Sequence, residues 1–490
     1  MKRKAAAVTA FCFLAAITLG ACGHDPLMEE EIEIPEPVTT AEMPTEEETE
    51  SPTEEETTEE CMPPQPVIEL GTGGDTFTVA SWNYYDAPIL LGNWLGVDAD
   101  DVKNSKGLKT PWGSRVKFVC FNTFGANASE CYDNMVNKGD DLDVFLIEPD
   151  WALPLLNDDT RTAPLSALGF TENDTNDMYP FTVEQGRNND GVLKALTWTA
   201  SSGCFVYNAD LAEQYLGVLN TEEMQQIIRD WDSFAESAAE VAERSNGKVA
   251  LADSVDGMWQ AYSCNMSMPL VVDNQLVLGD EVKRFADMAK KLWDCGGVSA
   301  CGQWSDDWYT SGREGSTMGY FTPIWAFADD SFIMEASDGE YSWSVCEGPA
   351  PYWWGGTLIA VDPHTDNGDE ARDFIVSAVL DRENLRKCAS QDAYLPNSVT
   401  ESMELASEGF VYSSKVSEHF GGQCYFEPLI TNARSLDLKH NLSEYDSGIK
   451  SSILKYLVES YLKEGYSWDE TVSRIDEDVC YTFPTLDASH

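Results

Sequence analysis

The 490-residue sequence is poor in basic residues and histidine: 31 Lys and Arg stand against 85 Asp and Glu, with 5 His, which gives a formal net charge of −54. A charge of this size repels nucleic-acid phosphates and anionic ligands, so we expect no nucleic-acid partner. The sequence has no CxxC pair and its histidines are far apart, which excludes the usual patterns of a structural zinc site and disfavours a Ser-His-acid triad.

The short motifs of nucleotide, cofactor and hydrolytic chemistry are also missing. There is no GxxxxGK[ST] phosphate loop, no GxGxxG after a strand, no HExxH pair and no GxSxG elbow. We therefore expect no cofactor, no metal and no catalytic residue. After residue 74, no hydrophobic run approaches the roughly 20 residues of a membrane-spanning helix, which predicts a soluble extracytoplasmic body.

The N-terminus has the pattern of an export signal. Three basic residues precede an apolar run from 5 to 19 that is too short to favour a membrane span. Leu19-Gly20-Ala21-Cys22 resembles the lipobox of bacterial lipoproteins. This resemblance implies cleavage of residues 1–21, a diacylglyceryl group on Cys22 and anchoring at the extracytoplasmic face of the bacterial cell membrane. The alternative is an ordinary cleaved signal followed by a chance cysteine.

The segment 22–74 has the composition of a disordered acidic tether. It is rich in Glu, Thr and Pro, nearly free of aromatic residues, and has sixteen acids and no base between 25 and 60. Such a chain buries too little apolar surface to offset the entropy of ordering. Residues 61–490, which are mostly the body that follows, carry the remaining charge of −41, which disfavours anionic ligands and favours neutral sugars over them.

Ten of the 13 cysteines lie in the body, the others being Cys12, Cys22 and Cys61. Cys295 and Cys301 flank a glycine-rich loop and are a candidate disulfide pair, since exported proteins can form disulfides. The remaining cysteines lie in apolar segments and are expected to be small buried side chains.

The body alternates between strand and helix patterns. A Ser233-x-x-Glu236 capping box opens a helix that ends at Asn246, and further helices are predicted over 368–380 and through 449–461. The alternation predicts an α/β architecture with mainly parallel sheets. The predicted strands are 76–82, 116–121, 142–147, 192–197, 204–208, 248–251, 317–321, 341–346 and 357–361.

Several segments of the body carry a resemblance to a known family: Gly191 to Trp198 with Cys204 to Leu211, Trp231 to Phe234, Gly315 to Trp325, Gly355 to Val361, and Ala371 to Ile375. Together they resemble the carbohydrate-binding, maltose-binding-like family 1 of the extracellular solute-binding proteins of ABC importers. The resemblance covers roughly 75–490, and its first crossing between lobes departs from the family at Thr197, where the family has proline.

The resemblance implies an α/β fold of two lobes, a type II periplasmic-binding-protein-like clamp that closes about a hinge, preceded by the disordered tether. By this analogy lobe 1 comprises 75–197 plus 348–397, and lobe 2 comprises 198–347 plus 398–490. It also implies that the protein is a monomer that captures a sugar or oligosaccharide and works with ABC transporter permease subunits.

Ligands of open α/β sheets bind beyond the carboxyl ends of the strands. This rule gives candidate ligand-binding residues independently of the family resemblance. Indole rings suit the flat C–H faces of sugars, and carboxylates suit their hydroxyl groups. Trp353 and Trp354 are adjacent, so only one of them is expected to face the cleft. The candidates are Trp82, Tyr85, Asp86, Glu148, Asp150, Trp151, Trp198, Trp259, Trp325, Trp353 and Trp354.

Two other functions are compatible with the same residues. A surface-anchored glycosidase would use Asp86 with Glu148 or Asp150 as its pair of carboxyl groups. A binding protein for a peptide or polyamine would rely on a dominant cluster of acids and fewer cleft tryptophans.

Overall fold

The computed structural model describes residues 68–104, 107–123, 125–138, 142–329, 332–438 and 442–488, all within one contact unit that spans 61–490. The predicted signal peptide, Cys22 and most of the predicted tether lie outside the described residues. No helix in the described part combines the length and the apolar character that crossing a membrane requires.

The strands within the described residues are short and mostly apolar. They are β1 Thr76–Ser81, β2 Arg115–Cys120, β3 Val144–Ile147, β4 Ala195–Leu196, β5 Gly203–Asn208, β6 Ala250–Ala252, β7 Val271–Val272, β8 Gln275–Leu276, β9 Thr317–Pro323, β10 Trp343–Cys346 and β11 Leu358–Val361.

The helices lie between the strands and, after β11, form a continuous run. The α-helices are α1 Asp86–Leu95, α2 Ala99–Asn104, α3 Gly125–Lys138, α4 Leu153–Leu156, α5 Pro180–Gln185, α6 Ala209–Leu216, α7 Thr221–Ile227, α8 Trp231–Ser245, α9 Val255–Ser263, α10 Asp280–Cys295, α11 Asp306–Arg313, α12 Phe332–Ala336, α13 Gly368–Val379, α14 Arg382–Gln391, α15 Val399–Ser407, α16 Ser414–His419, α17 Phe426–Ser435, α18 Asp446–Tyr456 and α19 Trp468–Thr482. Short 3₁₀ turns occupy Pro149–Trp151, Leu165–Leu168, Glu172–Thr175 and Ile324–Phe327, and a π-helix occupies Leu457–Lys463.

The first large sheet, with strand order β2-β1-β3-β11-β4, is the centre of what we name the first lobe. Its central strand β3 is buried on both faces. Val144 and Leu146 lie in one apolar core, whereas Phe145 and Ile147 lie in a second core on the opposite face. Cover on both faces explains why this strand is apolar throughout, as its sequence predicted.

The second large sheet, with strand order β10-β5-β9-β6, is the centre of the second lobe. Strand β5 alternates in the same way: Phe205 and Tyr207 belong to one core, and Cys204 and Val206 to another. The predicted α/β, two-lobed architecture is therefore confirmed, whereas the lobe boundaries at 197, 347 and 397 stay a prediction.

The expectation of mainly parallel sheets was wrong. β1 pairs in parallel with β2 and β3, and β6 with β9, but β11 runs antiparallel to β3 and β4, and β5 runs antiparallel to β9 and β10. The antiparallel strands are those that the chain reaches as it crosses between the sheets. A strand that arrives from the other lobe enters its sheet from the opposite end, so its direction is reversed.

Three chain segments join the lobes, and they are hydrogen-bonded to each other. The first crossing, 197–202, lies between the second, 347–357, and the third, 392–398. Backbone N–H groups of Ala200 and Asn397 bond the first crossing to the third, at 2.8 Å each, to the carbonyl groups of Leu395 and Trp198. Trp354 N–H donates to the Ser201 carbonyl at 2.9 Å. The junction is thus a small patch of paired backbone.

The predicted cap of α8 was wrong by three residues. The helix begins at Trp231, and the N-cap is Asp230, whose carboxylate accepts the backbone N–H of Ser233 at 2.7 Å. Asp is as good an N-cap as Ser, and the helical turn has already begun when the chain reaches Ser233. The predicted end is confirmed, because Asn246 adopts the left-handed conformation just after the helix.

The candidate pair Cys295 and Cys301 does not form a disulfide. All ten cysteines of the described residues are free thiols. The Cys295 thiol donates to the Leu292 carbonyl of its own helix, while the Ser299 hydroxyl donates to the Cys301 sulfur at 3.1 Å. Each sulfur is therefore held by a local partner.

Replacement of Asp230 tests the observed cap of α8. We expect Asp230→Ala to lower the free energy of unfolding by about 1 kcal/mol, because it leaves the N–H of Ser233 without its acceptor. Urea unfolding of the whole chain measures the change. Ser233→Ala is the matched control, since it keeps the backbone N–H and is expected to have the smaller effect. If Ser233→Ala lowered the free energy of unfolding more than Asp230→Ala, Ser233 would be the N-cap, as the sequence indicated.

Candidate functional site

A cavity of about 550 Å³ lies where the loops after β1, β3 and β9 meet the three crossings. This volume is within the range of small-molecule sites, about 300–1,000 Å³. The lining is largely aromatic and includes residues from both lobes. Seven of the eleven residues predicted from the sequence line it: Trp82, Tyr85, Asp86, Glu148, Trp198, Trp325 and Trp354.

Two of the other four predicted residues lie next to the cavity without lining it. Trp151 is part-buried against Tyr132, with stacked rings 6.4 Å apart, and its indole N–H donates to Glu148 Oε2 at 3.0 Å. Asp150 is exposed and lines a separate, smaller groove together with Lys450. Trp151 thus positions a cavity carboxyl group, and Asp150 is on the far side of the same turn.

The remaining two are core residues. Trp259 on α9 is 3% exposed and packs on Phe285, with ring centroids 4.9 Å apart. Trp353 is 4% exposed and lies in a core of the second lobe, while its neighbour Trp354 lines the cavity. Successive residues of an extended segment point to opposite sides, which is why only one of this pair reaches the cavity.

The sequence missed ten lining residues. Glycines and small polar residues at a cavity carry no pattern that separates them from ordinary loop residues. Asp392 and Tyr394 belong to the third crossing, which follows a helix and therefore escapes a rule based on strand ends. The ten are Asn83, Thr199, Ser201, Ala328, Phe332, Gly355, Gly356, Thr357, Asp392 and Tyr394.

Asp86, at the start of α1, joins the first lobe to two crossings. Its carboxylate accepts hydrogen bonds from Thr357 Oγ1 at 2.6 Å, Tyr394 OH at 2.6 Å and Asn83 Nδ2 at 2.8 Å. Trp82 Nε1 in turn donates to Thr357 Oγ1 at 3.2 Å. Burial, and next the charge of Asp86, raise the pKa of Tyr394, which keeps its phenol protonated as a donor.

Glu148 differs from Asp86 in having little support from neighbours. Burial raises the pKa of Glu148 to about 8, and the negative charges of Asp150 and Asp86 add to the effect, while the hydrogen bond from Trp151 opposes it. A carboxyl group with this pKa carries a proton at neutral pH and can both donate and accept. Such a group can either donate a hydrogen bond to a ligand hydroxyl group or accept one from it.

An aromatic wall forms the second-lobe side of the cavity. The rings of Trp325 and Trp354 are 6.3 Å apart and nearly perpendicular, at 79°, and Trp325 Nε1 donates to the Trp354 carbonyl at 2.8 Å. Phe332 lies 5.1 Å from Trp325. Behind them Trp304 contacts both tryptophans at 5.8 and 5.6 Å. The wall is held by ring contacts, so its shape is set before any ligand binds.

Two glycines let the second crossing approach this wall. Gly355 and Gly356 have φ values of 64° and 105°, which side chains rarely adopt. A Cβ atom on Gly355 would lie 3.2 Å from Trp325 Nε1, and one on Gly356 would lie 2.9 Å from Ser201 Oγ. Any larger residue would push the crossing away from the cavity.

The cavity thus offers apolar ring faces on both sides and carboxyl groups between them. In the part of the chain that the structure describes, no group of three or more His, Cys, Asp or Glu side chains is arranged to hold a metal ion. The arrangement can bind a flat ring that has hydroxyl or amine groups on its edge.

Comparisons with known proteins agree with this architecture. A family model described as bacterial extracellular solute-binding protein matches residues 116–412. A solved extracellular solute-binding protein of family 1 is 16% identical with a TM-score of 0.68, and the match covers 83% of this chain and 100% of that one. A search of curated proteins finds no match.

Two further solved structures are sugar complexes. One is the galacto-N-biose-/lacto-N-biose I-binding protein of an ABC transporter from Bifidobacterium longum with lacto-N-biose: 17% identity, TM-score 0.60, 85% of this chain and 100% of that one. The other is the GacH receptor of Streptomyces glaucescens, solved unliganded and with acarbose: 15% identity, TM-score 0.54, 86% and 100%. At these identities the similarity is one of fold.

The raised pKa of Glu148 predicts a pH-dependent penalty on folding. In the unfolded chain a Glu ionises near ~4.3, so between that pH and about 8 the folded state binds more protons and loses stability as pH rises. Glu148→Gln removes this titration. We expect its thermal midpoint to rise relative to wild type between pH 5 and pH 8, by roughly 2 °C or more.

The control for this measurement is Glu236→Gln, which removes an exposed carboxyl group on α8. Its difference from wild type is expected to stay constant over the same pH range. A constant difference for Glu148→Gln as well would show that Glu148 ionises as an ordinary carboxyl group.

Proposed function

This chain belongs to the family of bacterial extracellular solute-binding proteins, and we propose that it captures a sugar or oligosaccharide in the cavity and delivers it to the permease of an ABC transporter. One observation carries the proposal: aromatic rings face the same cavity from both lobes, with Trp82 on one side and Trp325 and Trp354 on the other. The family is one of solute-binding proteins, and the two neighbours described above that were solved with sugars support this choice of ligand.

Sugars fit this lining for a physical reason. The C–H faces of a pyranose ring pack on indole, where an aromatic contact adds about 1 kcal/mol to the burial of apolar area. Hydroxyl groups on the ring edge then reach Glu148 and Asp392, and each hydrogen bond to a protonated carboxyl group contributes about 0.5–1.5 kcal/mol. In this proposal Trp82, Tyr85, Trp325 and Trp354 form the apolar contacts, whereas Trp198, which is 1% exposed, supports the lining from the core.

The geometry disfavours the glycosidase that the sequence left open. A glycosidase needs two carboxyl groups that are free to act on one bond. Asp86 already accepts three hydrogen bonds from protein donors, and Asp150 faces a different groove. Neither of the two pairings considered from the sequence, Glu148 with Asp86 or Asp150 with Asp86, is therefore free to act on one bond.

Binding and release follow from the junction between the lobes. The three crossings lie directly beneath the cavity and are joined by backbone hydrogen bonds, so closing the lobes alters the cavity without breaking a strand. A ligand that contacts both aromatic sides favours the closed arrangement through its differential affinity, and opening at the permease releases it.

A thermal-shift screen over sugars, peptides and polyamines, followed by calorimetry, tests the proposed ligand. We expect at least one sugar to bind stoichiometrically and to be recovered unchanged. Trp325→Ala is expected to weaken binding at least about tenfold, because it removes one aromatic face. Trp325→Phe, which keeps a ring, is expected to weaken it less.

Trp112→Ala is the matched control, since Trp112 is 58% exposed and lies outside the cavity lining. Turnover of the sugar would contradict the receptor function, and stabilisation by a peptide or polyamine alone would contradict the carbohydrate assignment.

The proposal includes a lipid anchor at Cys22, carried by the lipobox-like residues before it. In bacteria expressing the full chain, we expect Cys22→Ser to abolish incorporation of a labelled fatty acid and to move the protein from the membrane fraction to the medium or periplasm. Cys61→Ser, which removes another cysteine of the N-terminal segment, is expected to leave both unchanged. Labelled Cys22→Ser protein would exclude this anchor.

A further inference from the structure

The cavity is lined by acidic side chains, and no basic side chain of the described residues lines it. Asp86, Glu148 and Asp392 line it, whereas no Lys, Arg or His appears in the lining. The charged groups that act on Glu148 are Asp150 and Asp86, and those that act on Asp392 are Asp86 and Asp329. Acids gathered in this way repel each other and disfavour ionisation.

The three carboxyl groups are not equivalent. Asp86 is saturated by Thr357, Tyr394 and Asn83, so it needs nothing from a ligand. Glu148 accepts one hydrogen bond, from Trp151 to its Oε2, and its Oε1 lies close to Gly355, 3.6 Å from where a Cβ atom on that glycine would be. Asp392 accepts the backbone N–H of Ala393 at 2.8 Å. Glu148 and Asp392 therefore retain acceptor capacity for a ligand.

The aromatic wall, like the acids, favours a positively charged ligand group. A cation within about 6 Å of an indole face is attracted by the ring quadrupole, and sites lined by several such faces bind ammonium groups. Trp325 and Trp354 present faces at 79° to each other, with Trp304 closing the corner behind them. Acids and indole faces thus surround one volume from different sides.

We propose that the ligand presents a protonated amine to this volume, so that the substrate is an amino sugar rather than an acetylated, neutral or acidic one. The inference rests on the proposed function and narrows it. The ammonium group supplies the positive charge that the lining lacks, beside Glu148 and Asp392, while the sugar ring packs on the tryptophans.

Calorimetry of the full chain with matched glucosamine oligomers, N-acetylglucosamine oligomers and oligogalacturonides tests the inference. At a pH where the amine is protonated, we expect the glucosamine oligomers to bind at least about tenfold tighter than the acetylated ones, with the advantage shrinking as salt is raised. The oligogalacturonides are expected not to bind. Binding of the amine is also expected to release a proton from Glu148, measured as a dependence of the heat on the buffer.

Glu148→Gln is expected to reduce the preference for the amine at least about fivefold and to abolish the proton release. Glu236→Gln, an equal change of charge on α8, is expected to keep both. Equal affinity for amine and acetylated oligomers, or tighter binding of the acetylated ones, would overturn the inference and leave the proposed function standing. Binding of polyamines with no binding of any sugar would overturn both.

Discussion

The buried carboxylate of Asp86 holds the ligand cavity in place. Its three hydrogen bonds come from three different parts of the chain: the turn after β1, the second crossing and the third crossing. Apart from these bonds, the hydrogen bond from Trp82 Nε1 to Thr357 Oγ1 joins the turn after β1 to the second crossing. A charged acceptor with two oxygens can satisfy several donors at once, which an amide or hydroxyl group does less well. The shape of the first-lobe side of the cavity therefore depends on one residue that is itself unavailable to the ligand.

The rest of the site is arranged around that fixed side. Glu148 is positioned by Trp151, the wall of Trp325 and Trp354 is built by ring contacts, and the glycine pair 355–356 brings the second crossing against it. These supports differ in kind, since one is a hydrogen bond, one is packing and one is the absence of side chains. Each fixes the position of a group that lines the cavity.

Much of the fold could be predicted from the sequence because the central strands, such as β3 and β5, are short and largely apolar segments. The direction of the strands within each sheet was predicted wrongly. Periodicity locates a strand but not the end from which the chain enters the sheet, so the antiparallel pairs made by β5 and β11 were missed. The cap at Asp230 was missed because two capping patterns overlap within four residues.

Most of the candidate-site residues that could be predicted from the sequence closely follow a strand. Trp82, Glu148 and Trp325 follow strands and line the cavity. Tyr394 instead follows helix α14, and Trp304 lies in a loop and contacts the wall from behind. Trp151 and Trp259 have the aromatic rings expected of a sugar site, but Trp151 only supports Glu148 and Trp259 lies in a core. Residue type alone does not separate a ring that faces a ligand from one that faces its own protein.

The pairing of the three crossings has a mechanical consequence. Three independent linkers would let the lobes swing in any direction, but segments bonded side by side behave as one flat strap. A strap bends easily about an axis in its plane and across its length, and it resists shear and sideways bending. Bending across this strap is therefore the motion that we expect between the lobes, and it would move together all three crossings that line the cavity.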